Sequence, residues 1–442
     1  MTVNQRFEVF FPEKRPFFLE NANYFQTPIN LFFSRRIRDP QFGTRSTGKL
    51  GDWAIGALAI DDRGAGRSLP SSDPLFGDRS SNALLVARRE FGESSVGALV
   101  TNRDFGHSSN RVASLDSRVR LNSMWFVTGQ AAMSDTTTLD GSQLRSNAYS
   151  GALNKAGRKL TYSLNYTDIG AGFRAPLGFV PRTDIRQALS FATLRWRPKD
   201  SPITAIGPNS FLQYTWDRDG QLQDWLIRFP LQIDFKRQTF LFLRRAESME
   251  RFAGVEFREH ENWASFSTSY LRWVDFFIAV SGGARPNFFP PAGIAPFLAG
   301  FRDGQISLTF RPTSRLLLDQ TYLYSHLEAR PGSGHTGAIF DNHIVRSRVN
   351  YQFTRELSVR GIVDYNGVLS NPALVALDRT KHLTADILLT YLLNPGTALY
   401  VGVTDGFDNV ALDPVAGLRP TRNPTTSTGR QFFIKTSYLF RF

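Results

Sequence analysis

From about residue 43 onward, apolar and polar residues alternate in strand-like runs broken by turns. Leu160, Tyr162, Leu164 and Tyr166 alternate with Thr161, Ser163, Asn165 and Thr167. Ile306, Leu308 and Phe310 oppose Gln305, Ser307, Thr309 and Arg311, while Val345, Val349, Tyr351 and Phe353 oppose Arg346, Arg348, Asn350 and Gln352. A period of two places successive side chains on opposite faces of a β-strand. The run Arg315–Ser325 is less clean, because Leu316, Leu317 and Leu318 put apolar groups on both faces. A barrel partly filled by its own segments gives strands of that character, and so does a misassigned register.

The breaks fall into two kinds. Short turns are expected near Gly51-Asp52, Gly92-Glu93, Asn122-Ser123, Ala156-Gly157, Lys236-Arg237, Pro312-Thr313, Arg355-Glu356 and Asn394-Pro395-Gly396. Long Gly/Pro/Ser/Asp-rich connections are expected near 62–81, 135–142, 170–186, 282–302, 328–340, 370–380 and 409–427. Short connections at one end and long ones at the other are the asymmetry of an outer-membrane barrel. The pattern predicts an all-β fold, a transmembrane antiparallel outer-membrane β-barrel of roughly 20–22 strands, even in number if both ends are periplasmic. At that width the lumen is either an aqueous channel or plugged.

The last strand repeats the pattern in its strongest form. Phe432, Ile434, Thr436, Tyr438, Phe440 and Phe442 form one apolar, aromatic face, and Gln431, Phe433, Lys435, Ser437, Leu439 and Arg441 form the other. Tyr438, Phe440 and Phe442 are the candidate barrel-closing signal. The expected pairing partner of this strand is an entering strand over Ile29–Arg36.

Residues 1–27 break the pattern. Pro12 and Pro16 forbid a regular helix or central strand between them. The expected division is an irregular Phe/Pro-rich mouth or plug segment over 1–27 and a barrel over 28–442. Glu13, Lys14 and Arg15, held between Phe10-Phe11 and Phe17-Phe18, need partners if buried. They are read either as a plug that caps the mouth or as a latch that closes the barrel.

Composition narrows the class. No run of some 18 apolar residues exists to form a membrane helix, and with 0 Cys there is neither a disulfide framework nor a thiolate metal site. The 52 Lys+Arg outweigh 39 Asp+Glu to give +13, but the arginines are dispersed and form no nucleic-acid module. No nucleic-acid partner is expected. The surroundings expected instead are outer-membrane lipid, lipopolysaccharide and the barrel-assembly machinery, in the outer membrane of a bacterial cell. Met1–Gln5 lacks the features of a signal peptide, so the chain is expected to be the C-terminal piece of a longer precursor.

Two further charge groups are candidate sites. Arg182, Asp184 and Arg186 leave a Gly/Pro-rich loop at alternate positions, either as a charged lining for an anionic or sugar ligand or as a network that pins the loop. Arg118, Arg120, Arg346, Arg348 and Arg360 are expected to face the lumen, with Asp116, Asp364 and Asp386 neutralising much of that charge in cross-strand ladders. His260, between Glu259 and Glu261, reads as a charged hairpin end before Asn262, the alternatives being half of an acid pair or a weak metal site. No nucleophile, phosphate-loop or zinc-hydrolase motif is present, and no catalytic residue, metal or cofactor is assigned.

Phe10–Glu20, Leu31–Ile37 and Gly178–Arg186, together with the ending Tyr438–Phe442, resemble the C-terminal barrel of a family of bacterial outer-membrane proteins of unknown function. In that family the barrel usually follows a signal peptide and a family-9-like carbohydrate-binding module, which is absent here. The expectation is passage of a saccharide or another polar solute, selected by width and charge. The alternatives are a plugged anchor for the carbohydrate-binding module and an outer-membrane hydrolase.

Overall fold

The computed structural model describes residues 4, 6–394, 396–414 and 417–438. Phe440 and Phe442 of the expected closing signal lie outside the described residues. The chain divides into two compact units, Met1–Leu194 with Ser210–Ile227, and Arg195–Asn209 with Arg228–Phe442.

The first unit is built on β1 (Pro40–Leu50), β2 (Trp53–Asp62), β3 (Ser80–Phe91), β4 (Ser94–Phe105) and β5 (Ser108–Arg120). It continues with β6 (Trp125–Thr137), β7 (Gln143–Ala156), β8 (Leu160–Ile169) and β9 (Ile185–Leu194). Each pairs antiparallel with the next. The strands β10 (Ile203–Trp216) and β11 (Leu222–Phe235) contribute residues to both units.

The second unit holds β12 (Thr239–Phe252), β13 (Val255–Leu271), β14 (Val274–Asn287), β15 (Phe297–Thr313) and β16 (Leu316–Ala329). It continues with β17 (Ala338–Gln352), β18 (Leu357–Ser370), β19 (Thr380–Asn394) and β20 (Thr397–Asp408), again as an antiparallel meander. A small ribbon, β21 (Val410–Asp413) with β22 (Gly417–Pro420), projects from the connection that leads to β23 (Thr426–Ser437).

The sheet has 21 strands among the described residues, within the expected range but odd. The reason is where β1 starts. Pro40 pairs with Asp62, at the end from which the long connection 63–79 departs, whereas β23 finishes at Ser437 opposite Ala398, beside a short turn. A chain that starts its first strand at the long-connection end and finishes its last at the short-turn end needs an odd count.

Within each strand the two faces differ sharply. In β3 Leu84 and Val86 are buried while Leu85 is 55% exposed, and in β4 Leu99 is buried while Val100 is exposed. The exposed rows continue through Leu115, Val127, Met133, Leu164 and Tyr166 in the first unit, and through Val280, Ile306, Val349, Val363 and Ile387 in the second. Phe432, Ile434 and Tyr438 are more than half exposed. Continuous exposed apolar rows on neighbouring strands are stable only against hydrocarbon. The opposite face is called the inner face below.

The strand expected over Ile29–Arg36 is not there. These residues form an extended segment ending in a short 3-10 turn, Ser34–Arg36, and β23 pairs with β20. The alternation that suggested a strand is real, since Ile29, Leu31 and Phe33 are buried. What they bury against is the inner face of the first unit and the connection 170–184. No ladder partner is involved.

A candidate plug and a charged inner wall

Residues 6–39 fold onto the inner face of the first unit. Phe18, Phe25, Ile29, Leu31 and Ile37 share one core with Leu58, Ile60, Leu84, Val86, Leu99, Val112, Ile169 and Ile185 of the strands and Phe173 of the connection. Burying this many large apolar side chains, each worth about 1.5–3 kcal/mol, makes the segment a built part of the unit. Phe10, Phe33 and Phe179 add a ring cluster with centroids 4.9–5.3 Å apart.

Its backbone polar groups are satisfied one by one, as buried amides must be. The Phe33 amide donates to the Leu177 carbonyl at 2.7 Å and the Phe179 amide to the Asn30 carbonyl at 2.8 Å. The Ile29 amide donates to Gln130 Oε1, and Arg88 donates to the Gln26 carbonyl. Gly178 is required here by closeness, because a Cβ would lie 2.4 Å from the Asn30 carbonyl oxygen. Gly56 makes similar room for the Phe25 ring.

The Glu13-Lys14-Arg15 triplet splits. Glu13 accepts from Arg15 Nε at 2.9 Å, from Arg15 Nη2 at 2.6 Å and from the Ser34 hydroxyl at 2.7 Å, while Arg15 also donates to the Ile37 and Ser34 carbonyls. Burial raises the Glu13 carboxyl, but the bonds from the Arg15 side chain and amide, Ser34 and the Lys14 amide outweigh it and hold it well below the ordinary carboxylate value. The Arg15 guanidinium also lies 4.3 Å from the Phe18 ring centroid. Lys14 is exposed. The geometry of Glu13 and Arg15 is that of a clasp between residues 13–15 and 34–37.

Arg182, Asp184 and Arg186 are not brought together. Asp184 adopts φ +60°, and this left-handed residue ends the strict alternation that the spacing suggested. Arg182 pairs with Asp224 and lies 4.8 Å from the Phe7 ring centroid. Arg186 pairs across β8 and β9 with Asp168, on the face opposite the buried Ile169–Ile185 pair. The arginines therefore draw their counter-charges from β8 and β11, and Asp184 takes no part.

The five other arginines all lie opposite the exposed apolar rows. Arg118 stacks 3.8 Å over the Phe126 ring, and Arg120 binds Glu93 at 3.0 Å and the carbonyls of Asn122 and Ser123, fastening a short turn. In the second unit the pattern is a ladder. Arg346 Nε donates to Asp364 at 2.7 Å and Arg348 Nε to Asp319 at 2.7 Å, each pair directly opposite in register. Thr309 donates to Asp319 at 2.7 Å and Thr404 to Asp386 at 2.5 Å. Arg360 has no ion-pair partner among the described residues. Asp319, Thr321, Arg346, Arg348, Asp364, Thr384 and Asp386 line a recess of about 620 Å³. Arg346 keeps 61% of its side chain exposed, so this inner wall is wetted.

Apolar rows against hydrocarbon, a polar inner wall and an antiparallel meander with short turns define an outer-membrane β-barrel, which lives in the outer membrane with lipid against those rows. No family model and no curated protein matches the chain. Among solved structures it is similar to the copper transporter OprC, at 9% identity and a TM-score of 0.50, with 88% of this chain and 74% of that one covered. It is also similar to the siderophore receptor PiuA from Acinetobacter baumannii, at 10% identity and a TM-score of 0.48 over 90% of this chain and 79% of that one.

The segment packed on the inner face of the first unit runs over residues 6–39, and a signal for that packing exists in the sequence. The runs Trp53–Ile60, Ala83–Ala87 and Val96–Val100 are apolar on both faces, as strands covered on both sides must be.

Proposed function

We propose that the chain is a passage barrel for a polar solute, such as a saccharide, with residues 6–39 as a built-in plug of the first unit. One observation carries the reading, namely the wetted Arg–Asp ladder on the inner wall of the second unit. Alternating fixed charges that remain hydrated give a hydroxyl-rich or charged solute hydrogen-bonding partners along the wall. In the first unit, by contrast, much of the inner wall is covered by the apolar side chains of residues 18–37. The fold shared with a copper transporter is compatible with this role.

A second reading, a plugged anchor that holds a carbohydrate-binding module at the membrane, is favoured by the depth to which Leu31 and Ile37 are buried. Liposome swelling separates the two. Vesicles carrying the purified chain swell in isosmotic sugar if it is a passage, and do not swell if it is an anchor.

A further inference from the structure

At the long-connection end of the first unit lies a cavity of about 470 Å³ between residues 36–38, the turn Gly64–Ser68, the end of β4 and the connection 173–183. The charged residues lining it are Arg36, Arg38, Arg103 and Arg174, and no acidic side chain lines it. We propose that this cavity binds a small polyanion, a free polycarboxylate or phosphate-bearing solute.

Like charges gathered around one cavity repel unless something neutralises them. Arg36 has Glu8 as a partner at 2.6 Å, and the Arg174 guanidinium folds onto the carbonyls of Ala171 and Phe173. The guanidinium groups of Arg38 and Arg103 have neither a hydrogen bond nor an ion pair within 4 Å among the described residues, although the Asp62 carboxylate attracts Arg103 while Arg36 and Arg38 repel it. Two planar forks with no hydrogen-bond acceptor, in a recess of ligand size, match the geometry of carboxylate or phosphate oxygens.

The cavity walls are fixed in advance. The buried Asp62 carboxylate accepts from the amides of Arg38, Asp39 and Gly64, at 2.6–3.1 Å, so it holds the Arg38 backbone in place. Gly64 packs so closely that a Cβ would meet the Arg38 Cβ at 2.6 Å, and Gly66 leaves no room beside the Asp78 backbone. On the other side, the Arg174 amide donates to Ser134 Oγ at 3.0 Å and its carbonyl accepts from Asn110 at 2.9 Å. Arg103 projects from β4 on the inner face, the face of Leu99. A lipid in the surrounding bilayer therefore does not reach it from the side, which favours a free anion over a headgroup.

The proposal deepens the passage reading and rests on it, because a passing solute is what would meet the cavity. The test is titration calorimetry on the detergent-purified full chain, with citrate, inorganic phosphate, glucose and lipid A micelles as separate probes. Citrate or phosphate is expected to bind, with affinity falling as salt rises, and glucose is not. The Arg38→Ala/Arg103→Gln double variant should lose roughly tenfold or more in affinity, the scale of one or two charged hydrogen bonds. Arg38→Lys/Arg103→Lys should retain part of it, which guards against misfolding as the cause. Absence of anion binding by the wild type, equal binding by the neutral double variant, or binding of lipid A alone would overturn the proposal. Swelling without anion binding refutes only this inference, and anion binding without swelling refutes only the passage reading.

Discussion

Gly178→Ala is the sharpest probe of the plug. The added Cβ would stand 2.4 Å from the Asn30 carbonyl oxygen and 3.0 Å from Leu31 backbone atoms, all of them main chain that cannot rotate away. Relief requires residues 30–31 and 177–179 to part where the Phe179 amide donates to Asn30 and the Phe33 amide to Leu177. Overpacking costs about 1–3 kcal/mol. Loss of one of those bonds adds about 0.5–1.5 kcal/mol. The sum, about 1.5–4.5 kcal/mol, corresponds to a loss of protection of roughly ten- to a thousand-fold. Hydrogen exchange resolved by peptide should show that loss over residues 28–38 and 174–180, with the β12–β20 strands unchanged. Gly48→Ala is the control, since a Cβ there meets nothing within 4 Å. Wild-type protection over 28–38 in Gly178→Ala would refute the docking described for the plug.

Other outcomes follow from the same geometry. The Glu13 carboxyl is held below its ordinary value in the fold, so its contribution is complete above about pH 4.5 and fades as pH falls below that. Glu13→Gln should therefore flatten the acid limb of a stability-versus-pH curve followed by urea unfolding, and an unchanged limb counts against the clasp. Leu115→Arg places a charge on the exposed apolar face, which costs about 2–4 kcal/mol near the bilayer midplane. The unfolding midpoint in lipid vesicles should fall accordingly, whereas no change would argue that Leu115 does not meet lipid. Arg346→Ala leaves Asp364 without its partner, so reversal-potential measurements should move toward cation selectivity.

The sequence made the wall legible and hid what fills it. Alternation at Leu160–Thr167 and Val345–Phe353 reports two solvents directly, one per face, and turn residues such as Gly51-Asp52 and Gly92-Glu93 fix where strands end. The segment Ile29–Phe33 carries the same period of two for a different reason, since an extended chain pressed on one side against a core buries every second residue whether or not it joins a ladder. Arg346 with Asp364 could be paired by their matching positions on neighbouring strands. Arg182 could not be matched to Asp224, nor Arg38 to Arg103, because those meetings depend on how connections fold back over the inner face. Asp184 shows the limit at a single residue, where one left-handed φ undoes an alternation that the spacing of three charges implied.

The claim that the second unit keeps a hydrated, charged path is tested most directly by single-channel recording in planar bilayers, comparing the wild-type chain with Asp319→Asn/Asp364→Asn. The wild type should give steady stepwise conductance. The variant, with Arg346 and Arg348 stripped of their counter-charges, should conduct with selectivity shifted toward anions. A silent wild-type protein, or a variant with unaltered selectivity, would contradict it.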